Sequence, residues 1–131
     1  MKFIIPLPPR TKKNSQNIYR NPKTGAYYIS SSDAYKKYEK DSKYFIPKIE
    51  SEINYPINLK CVFYMKERRK VDLVNLEEAI CDILVKYKIL SDDNRDIVAT
   101  MDGSRVLYDK NNPRTEIEIT KISNYEKWQK K

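Results

Sequence analysis

The sequence predicts an α+β domain in which two helices pack on a central mixed or antiparallel sheet. Two observations favour this fold class. Alternating apolar residues in "INLKCVFYM" and "TEIEITKI" are typical of half-buried strands, and apolar residues at helical spacing follow residue 33 and fill about residues 72–87. The length of 131 residues suits one domain. We therefore expect a single domain over residues 1–131, with residues 123–131 as a polar C-terminal tail.

The first half of the chain predicts a strand, a hairpin and a helix. "KFIIPL", residues 2–7, is a short apolar strand followed by two prolines. "NIYRNPKTGAYYIS" has two β-prone runs around an Asn-Pro-Lys-Thr-Gly turn, which is typical of a hairpin. The first helix should place Tyr35 and Tyr38 toward the core, and Pro47 should kink or shorten it.

The second half predicts a strand, a helix and two further strands. "INLKCVFYM" leads through the basic segment "KERRKVD" into the second helix, and the turn "LSDDNRD" follows. The helix end and turn "KYKILSDD" contain no glycine, so Lys88 should need an unusual backbone angle. "DIVATMDGSRVLYD" reads as one strand. Within it, Asp102, Ser104 and Arg105 form either a β-turn at Asp-Gly, which is favoured, or part of a strand beside a site.

The composition limits the possible chemistry and the possible partners. With 26 Lys and Arg against 18 Asp and Glu, the net charge is +8, which favours a polyanionic partner. The absence of histidine excludes serine–histidine and cysteine–histidine catalysis. The two cysteines, Cys61 and Cys81, match no zinc or disulfide pattern and predict buried thiols in a cytoplasmic protein. No apolar run approaches the roughly 20 residues of a membrane helix, so we expect no membrane partner.

The second helix carries carboxylates on the side opposite its apolar stripe. Its polar side holds Asp72, Asn75, Glu78 and Asp82. These acids are not interleaved with lysines, since Lys86 alone offers a partner, and "SDD" after the helix can bring Asp93 back toward them. Hard oxygen donors of this kind suit Mg²⁺ or Mn²⁺. The alternative is an ordinary solvated acidic face.

Two basic segments precede these acids in the sequence. The residues predicted to contact nucleic acid are Arg10, Lys12, Lys13, Asn14, Lys66, Arg68, Arg69, Lys70, Asn75 and Arg105. Cationic loops can hold phosphates without sequence preference, while carboxylates hold a metal ion. Together they favour metal-assisted phosphodiester hydrolysis over two independent solvated surfaces.

The order "PLPPRTKKN", then "RRKVDLVNLEEAICDILVKYKILSDDNRDI", then "NPRTEIEIT" resembles the RusA-type Holliday junction resolvases over about residues 3–121. The resemblance implies a homodimeric enzyme of DNA recombination and repair, often carried by phages. Such an enzyme uses Mg²⁺ or Mn²⁺ to nick opposing strands of four-way DNA. Carried over by position, the catalytic and metal-binding aspartates of the family fall on Asp72, Asp82 and Asp93. The Asn of the family's motif falls on Asn75.

Two positions depart from the family's Asp-x-Asp-Asn and lysine pattern. Val74 stands where the second Asp belongs, and Glu78 stands where the lysine belongs. Because Glu78 lies one turn beyond Val74 on the same side of the helix, we predict that it supplies the missing carboxylate. The predicted metal ligands and catalytic residues are therefore Asp72, Glu78, Asp82 and Asp93.

Three other interpretations stay open at this point. The chain could be a catalytically impaired relative that binds branched DNA without cleaving it. It could also be a DNA- or RNA-binding protein without catalysis, in which the acid cluster is vestigial and the basic loops bind the nucleic acid. In the third interpretation, the acids of a protein-interaction module meet a basic partner.

Overall fold

The computed structural model describes residues 1–12, 16–31 and 33–123, and for residues 16–19 and 28–31 it describes the backbone only. In chain order the elements are β1 (Lys2–Ile5), β2 (Gln16–Arg20), β3 (Tyr27–Ser31), α1 (Asp33–Ser42), β4 (Ile57–Met65), α2 (Leu73–Lys86), β5 (Val98–Thr100), β6 (Arg105–Tyr108) and β7 (Arg114–Lys121). The predicted contacts of Lys13 and Asn14, and the predicted tail from residue 124 onward, lie outside the described residues.

A five-stranded mixed sheet is the centre of the fold, as the sequence predicted. β7 pairs antiparallel with both β1 and β4. The other edge of β4 pairs parallel with β5 and then with β6. β2 and β3 form a separate antiparallel hairpin, which confirms that prediction. The architecture is therefore α+β, with two helices and a mixed sheet.

The core forms where α2 packs over β4. The apolar stripe of α2 buries Leu76, Ile80, Ile83 and Leu84, each at most 1% exposed. The alternate side chains of β4 meet this stripe, because successive residues of a strand point to opposite faces. Leu59, Cys61 and Phe63 are completely buried on that face. The predicted helical and strand periodicities are thus both confirmed.

α1 adds Tyr35 and Tyr38 to the core and ends earlier than its apolar pattern suggests. The helix stops at Ser42, whose hydroxyl donates a hydrogen bond to the carbonyl oxygen of Tyr38 at 2.7 Å. A 3₁₀ turn, Lys43–Phe45, follows before Pro47. The prediction that this helix is shortened near the proline is confirmed.

The prediction of one continuous strand around residues 97–108 is wrong. β5 and β6 are separate because Gly103, with φ +87°, turns the chain between them. Near the border between the parts of β4 that pair with β5 and β6, residues of β4 form hydrogen bonds with the turn. The Cys61 N–H donates to the Ser104 hydroxyl at 3.0 Å, and the Asp102 N–H donates to Asn58 Oδ1 at 2.8 Å. The β-turn interpretation of Asp102 and Ser104 is therefore the correct one.

The turn after α2 uses a left-handed residue that is not glycine. Lys88 has φ +67°, as the absence of glycine in this turn predicted. The reversal lets the Ile89 N–H donate to the Leu84 carbonyl oxygen at 2.9 Å, which closes the helix end. Ile89 and Leu90 then enter the core, and the Ile53 N–H donates to Ile89 at 2.8 Å.

Replacing Lys88 by glycine should stabilise the protein, because a side chain at positive φ costs roughly 1 kcal/mol. Lys88→Gly should raise the free energy of unfolding by about 0.5–1 kcal/mol after the entropy cost of glycine. The ion pair between Lys88 and Glu52, at 3.8 Å, is exposed and contributes little. Urea unfolding measures the change.

Lys40→Gly is the matched control, because Lys40 is exposed in the last turn of α1, a right-handed position. It should lower stability by about 1 kcal/mol. A loss of stability in both variants would contradict the role given to the backbone angle at Lys88.

Candidate active site

A cationic cleft forms where the first loop meets the segment after β4. Its volume is about 290 Å³, and four of its lining residues are Arg10, Lys66, Arg69 and Lys70. Pro8 and Pro9 stiffen one wall because proline fixes its backbone angle. Two basic segments far apart in the sequence are thus brought together, as the sequence predicted. A cleft lined in this way attracts phosphate groups.

The cleft leads directly to the start of the acidic helix. Val71 lines its end, and Asp72 is the N-cap residue of α2. Asp72 is exposed, and its carboxylate accepts a hydrogen bond from the Asn75 amide at 3.3 Å. The positive end of the helix dipole favours a carboxylate at this position. Asp72 and Asn75 therefore form one polar pair beside the basic cleft.

Two arginines that the sequence predicted to contact DNA, Arg68 and Arg105, are not among the residues that line this cleft. Arg68 stacks on the ring of Tyr108, 4.0 Å from its centroid. Arg114 stacks on Tyr64 at 3.7 Å and contacts Asp109 and Glu116, so it is held within the fold.

Arg105 lies in register with Val62 on the sheet face away from the helices. That face is not the one on which the acidic helix packs. The structure therefore does not bring Arg105 to the cleft, and its contact with DNA stays a prediction. Sequence alone could not give this, because the side of the sheet depends on the register of β6.

The length of α2 separates the predicted acids. Asp72 and Asp82 are ten residues apart, which places their Cα atoms roughly 15 Å apart along a helix that rises 1.5 Å per residue. One ion cannot contact both carboxylates. In the described part of the chain, no three Asp, Glu, Cys or His side chains lie close enough together to hold a metal ion. A single set of all four predicted ligands is therefore not assembled within this chain.

Asp82 and Asp93 are brought together at the other half of the helix. Partial desolvation, a hydrogen bond with Asp92 and the negative charges of Asp82 and Asp92 raise the pKa of the Asp93 carboxyl group. The fold-back of "SDD" toward the helix, predicted from the sequence, is thus present. Glu78 is exposed one turn before Asp82 on α2.

The cations around the acidic helix differ from those expected. Lys86 does not pair with an acid of its own helix. It contacts Glu39 of α1 at 2.5 Å, and Tyr87 donates a hydrogen bond to the Glu39 carbonyl oxygen at 2.8 Å. The cation that contacts Asp82 is Lys12 of the first loop. Lys12, predicted to contact DNA, therefore forms an ion pair with Asp82, predicted to bind a metal ion.

Glu77 is a half-buried carboxylate that sequence reasoning did not select. Desolvation raises its pKa, and its charge acts on the buried thiols of Cys61 and Cys81. The charges of Asp93 and Asp82 also act on Cys81. The sequence could have indicated this contact, because Glu77 lies four residues before Cys81 on the same helix, at the border of the apolar stripe.

A comparison with family models decides the identity of this arrangement. The model described as endodeoxyribonuclease RusA matches residues 6–120 of the 131-residue chain. The chain belongs to the RusA family. A search of curated proteins found no match.

RusA membership accounts for the pairing of the cleft with the acids. The match includes both basic segments, the whole of α2 and Asp93. It agrees with the resemblance found in the sequence and with the mixed sheet and two helices of the structure. Among the described residues, no helix is long and apolar enough to cross a bilayer.

Removing the charge of Asp93 should stabilise the protein in the absence of divalent cations. Asp93→Asn relieves repulsion from Asp82 and Asp92, so the free energy of unfolding near pH 7 should rise by about 0.5 kcal/mol. The folded-state pKa of Asp93 is raised, so its ionised form opposes folding above that pKa. The gain should shrink as the pH falls through the raised pKa, because the wild-type carboxyl group then becomes neutral too.

Urea unfolding at several pH values measures this difference. Asp102→Asn, at the exposed turn between β5 and β6, removes the same charge elsewhere and serves as the control. A gain that stays constant down to about pH 3, below the ordinary pKa of Asp, would contradict the electrostatic cause.

Proposed function

We propose that this RusA-family protein is a metal-dependent endonuclease that resolves four-way DNA junctions by paired nicks, in recombination and repair. The observation that carries the proposal is the cleft lined by Arg10, Lys66, Arg69 and Lys70, whose lining residue Val71 directly precedes Asp72, the N-cap of α2. Cations and carboxylates placed end to end suit a phosphodiester backbone that must be held and then cut.

The carboxylates fit a hard divalent cation. Asp82 and Asp93 offer oxygen donors, and the charge of Asp82 already disfavours the ionised form of Asp93. Mg²⁺ and Mn²⁺ prefer such oxygen ligands and relieve such repulsion. We propose that Asp82 and Asp93 hold the ion. Because no three acids of the described residues already lie close enough together to hold an ion, the Glu78 side chain must move toward this pair to supply a further oxygen. A bound ion would activate a water molecule and neutralise charge at the scissile phosphate.

Asp72 has a role separate from that of Asp82 and Asp93. An ion at Asp82 is out of its reach, so a metal role for Asp72 requires a second ion or a site completed by a second protomer. A homodimer suits a junction of near-twofold symmetry, because each protomer offers one site to one of two equivalent strands. Asn75, hydrogen-bonded to Asp72, keeps the orientation of this carboxylate.

The roles of the basic residues follow from their positions. Arg10, Lys66, Arg69 and Lys70 hold phosphates in the cleft. Arg68 supports the wall of this segment by stacking on Tyr108. Because these contacts are to phosphates, they position DNA without reading its sequence.

Synthetic four-way DNA with Mn²⁺ tests the proposal. The wild-type protein should make paired nicks in opposing strands. Asp93→Asn should lower the cleavage rate by at least about 100-fold while junction binding stays near wild type, because it removes a metal ligand and no phosphate contact. A double variant, Arg69→Gln with Lys70→Gln, should instead weaken binding about tenfold or more and flatten its salt dependence.

Gel assays of binding and cleavage, run at one fixed salt concentration, separate these effects. Cleavage by Asp93→Asn at the wild-type rate would overturn the proposed metal site. Junction binding that does not change with salt would overturn the proposed cleft.

A second function, branched-DNA binding without cleavage, is favoured by one specific observation. Val74, at the position of the family's second aspartate, is 69% exposed and offers no oxygen. If Glu78 has taken over that duty, Glu78→Gln should lower the Mn²⁺-dependent cleavage rate about 10- to 100-fold. If the chain is instead impaired, Glu78→Gln should change nothing, and Val74→Asp should create cleavage that the wild type lacks.

Single-turnover cleavage of the junction by the two variants distinguishes these outcomes. Lys86→Gln is a suitable comparison, since Lys86 pairs with Glu39 and not with an acid of α2. Wild-type cleavage by Glu78→Gln would contradict the relocation of the carboxylate.

A further inference from the structure

Lys12 occupies an unusual position for a residue of a DNA-binding loop. Its ammonium group forms an ion pair with the Asp82 carboxylate, and the two side chains are only 35% and 34% exposed. The ammonium group also lies over the ring of the buried Tyr35, 5.8 Å from its centroid. Partial shielding from water strengthens both attractions relative to an exposed lysine.

The source of this cation is the first loop and not the acidic helix. Lys86, the lysine of α2, is committed to Glu39. At position 78, one turn before Asp82, the chain has an acid. Thus Asp82 obtains its positive partner from a segment that also lines the basic cleft, because Arg10 is two residues before Lys12.

A divalent cation and this ammonium group cannot share Asp82 without cost. Two cations within a few ångströms repel strongly in a partly shielded site. If an ion binds Asp82, as in the proposed function on which this inference rests, the ammonium group must leave the carboxylate. Phosphates of DNA held in the cleft would then offer it a new anionic partner, because Arg10 and Thr11 of the same loop line that cleft.

We propose that Lys12 is a tethered counter-ion of Asp82 that exchanges between this carboxylate and a DNA phosphate. In the absence of metal it neutralises Asp82. When the ion takes Asp82, Lys12 is released toward the DNA. The metal frees Lys12 to bind a phosphate, and a phosphate that binds Lys12 frees Asp82 for the metal. Metal binding and DNA binding therefore favour each other. Lys12 is a positioning residue and does not itself cut the backbone.

Titration of the protein with Mn²⁺ alone, without DNA, tests the exchange by calorimetry. Lys12→Gln should bind Mn²⁺ about fivefold more tightly than wild type, because the ion no longer competes with the ammonium group. A merely structural contact would have the opposite signature, since its loss would weaken Mn²⁺ binding or leave it unchanged. Lys12→Arg keeps a competing cation and should bind Mn²⁺ as the wild type does.

Lys37→Gln is the matched control. Lys37 pairs with Asp41 within α1 at 2.7 Å, so this variant also removes one charge and one lysine–aspartate ion pair. Its Mn²⁺ affinity should equal that of the wild type at about 0.15 M salt, where distant charges are screened. Circular dichroism confirms that each variant is folded, and Lys12→Arg provides the comparison if Lys12→Gln loses stability.

The outcomes separate this inference from the proposed function. Equal or weaker Mn²⁺ binding by Lys12→Gln, with junction cleavage by the wild type intact, overturns the exchange and leaves the nuclease standing. No Mn²⁺ binding by any variant, together with no cleavage, overturns both. Tighter binding by Lys12→Gln alone, with both other variants at the wild-type affinity, supports the exchange.

Discussion

The packing of α2 against β4 is the constraint on which the site depends. It buries Leu76, Ile80, Ile83 and Leu84 against the central strand, and so determines which side of the helix meets solvent. The acids lie on the remaining side because no other side is available to them. The same packing places the first residue of the helix at the end of the segment that follows β4, where the basic cleft lies.

The size of this packing energy explains why the helix tolerates its acids. A fully buried Leu or Ile contributes roughly 1.5–3 kcal/mol, so the four stripe residues together contribute several times that amount. Repulsion between neighbouring acids on a helix costs only a few tenths of a kcal/mol per pair. The core therefore offsets the repulsion with a wide margin.

Much of the fold could be predicted from the sequence because it depends on local periodicity. The alternation in β4 and β7, the stripe of α2 and the left-handed Lys88 were all available in short windows of sequence. The Asp-Gly pair indicated a turn within residues 97–108, but not how the strands on either side of it meet β4. That depends on the contacts of Asn58 with Asp102 and of Cys61 with Ser104, which are long-range.

The site could be predicted in composition but not in arrangement. A helical wheel shows direction around the axis and ignores distance along it, so it placed Asp72 and Asp82 on one side without showing that roughly 15 Å separates them. Likewise, the helical pattern indicated Lys86 as the partner of the acids. In the structure, Lys86 pairs with Glu39 of α1, and Asp82 pairs with Lys12 of the first loop. Contacts between elements distant in the sequence decide these pairings.

The position of a bound ion would show directly whether Asp82 and Asp93 form the metal site. Crystals of the protein soaked with Mn²⁺ and measured for anomalous scattering would show the metal without any assumption about activity. We predict an anomalous peak within coordination distance, about 2.0–2.2 Å, of carboxylate oxygens of Asp82 and Asp93. The ammonium group of Lys12 should no longer contact Asp82. A peak at Asp72 alone, or Mn²⁺ bound elsewhere while Lys12 remains on Asp82, would contradict it.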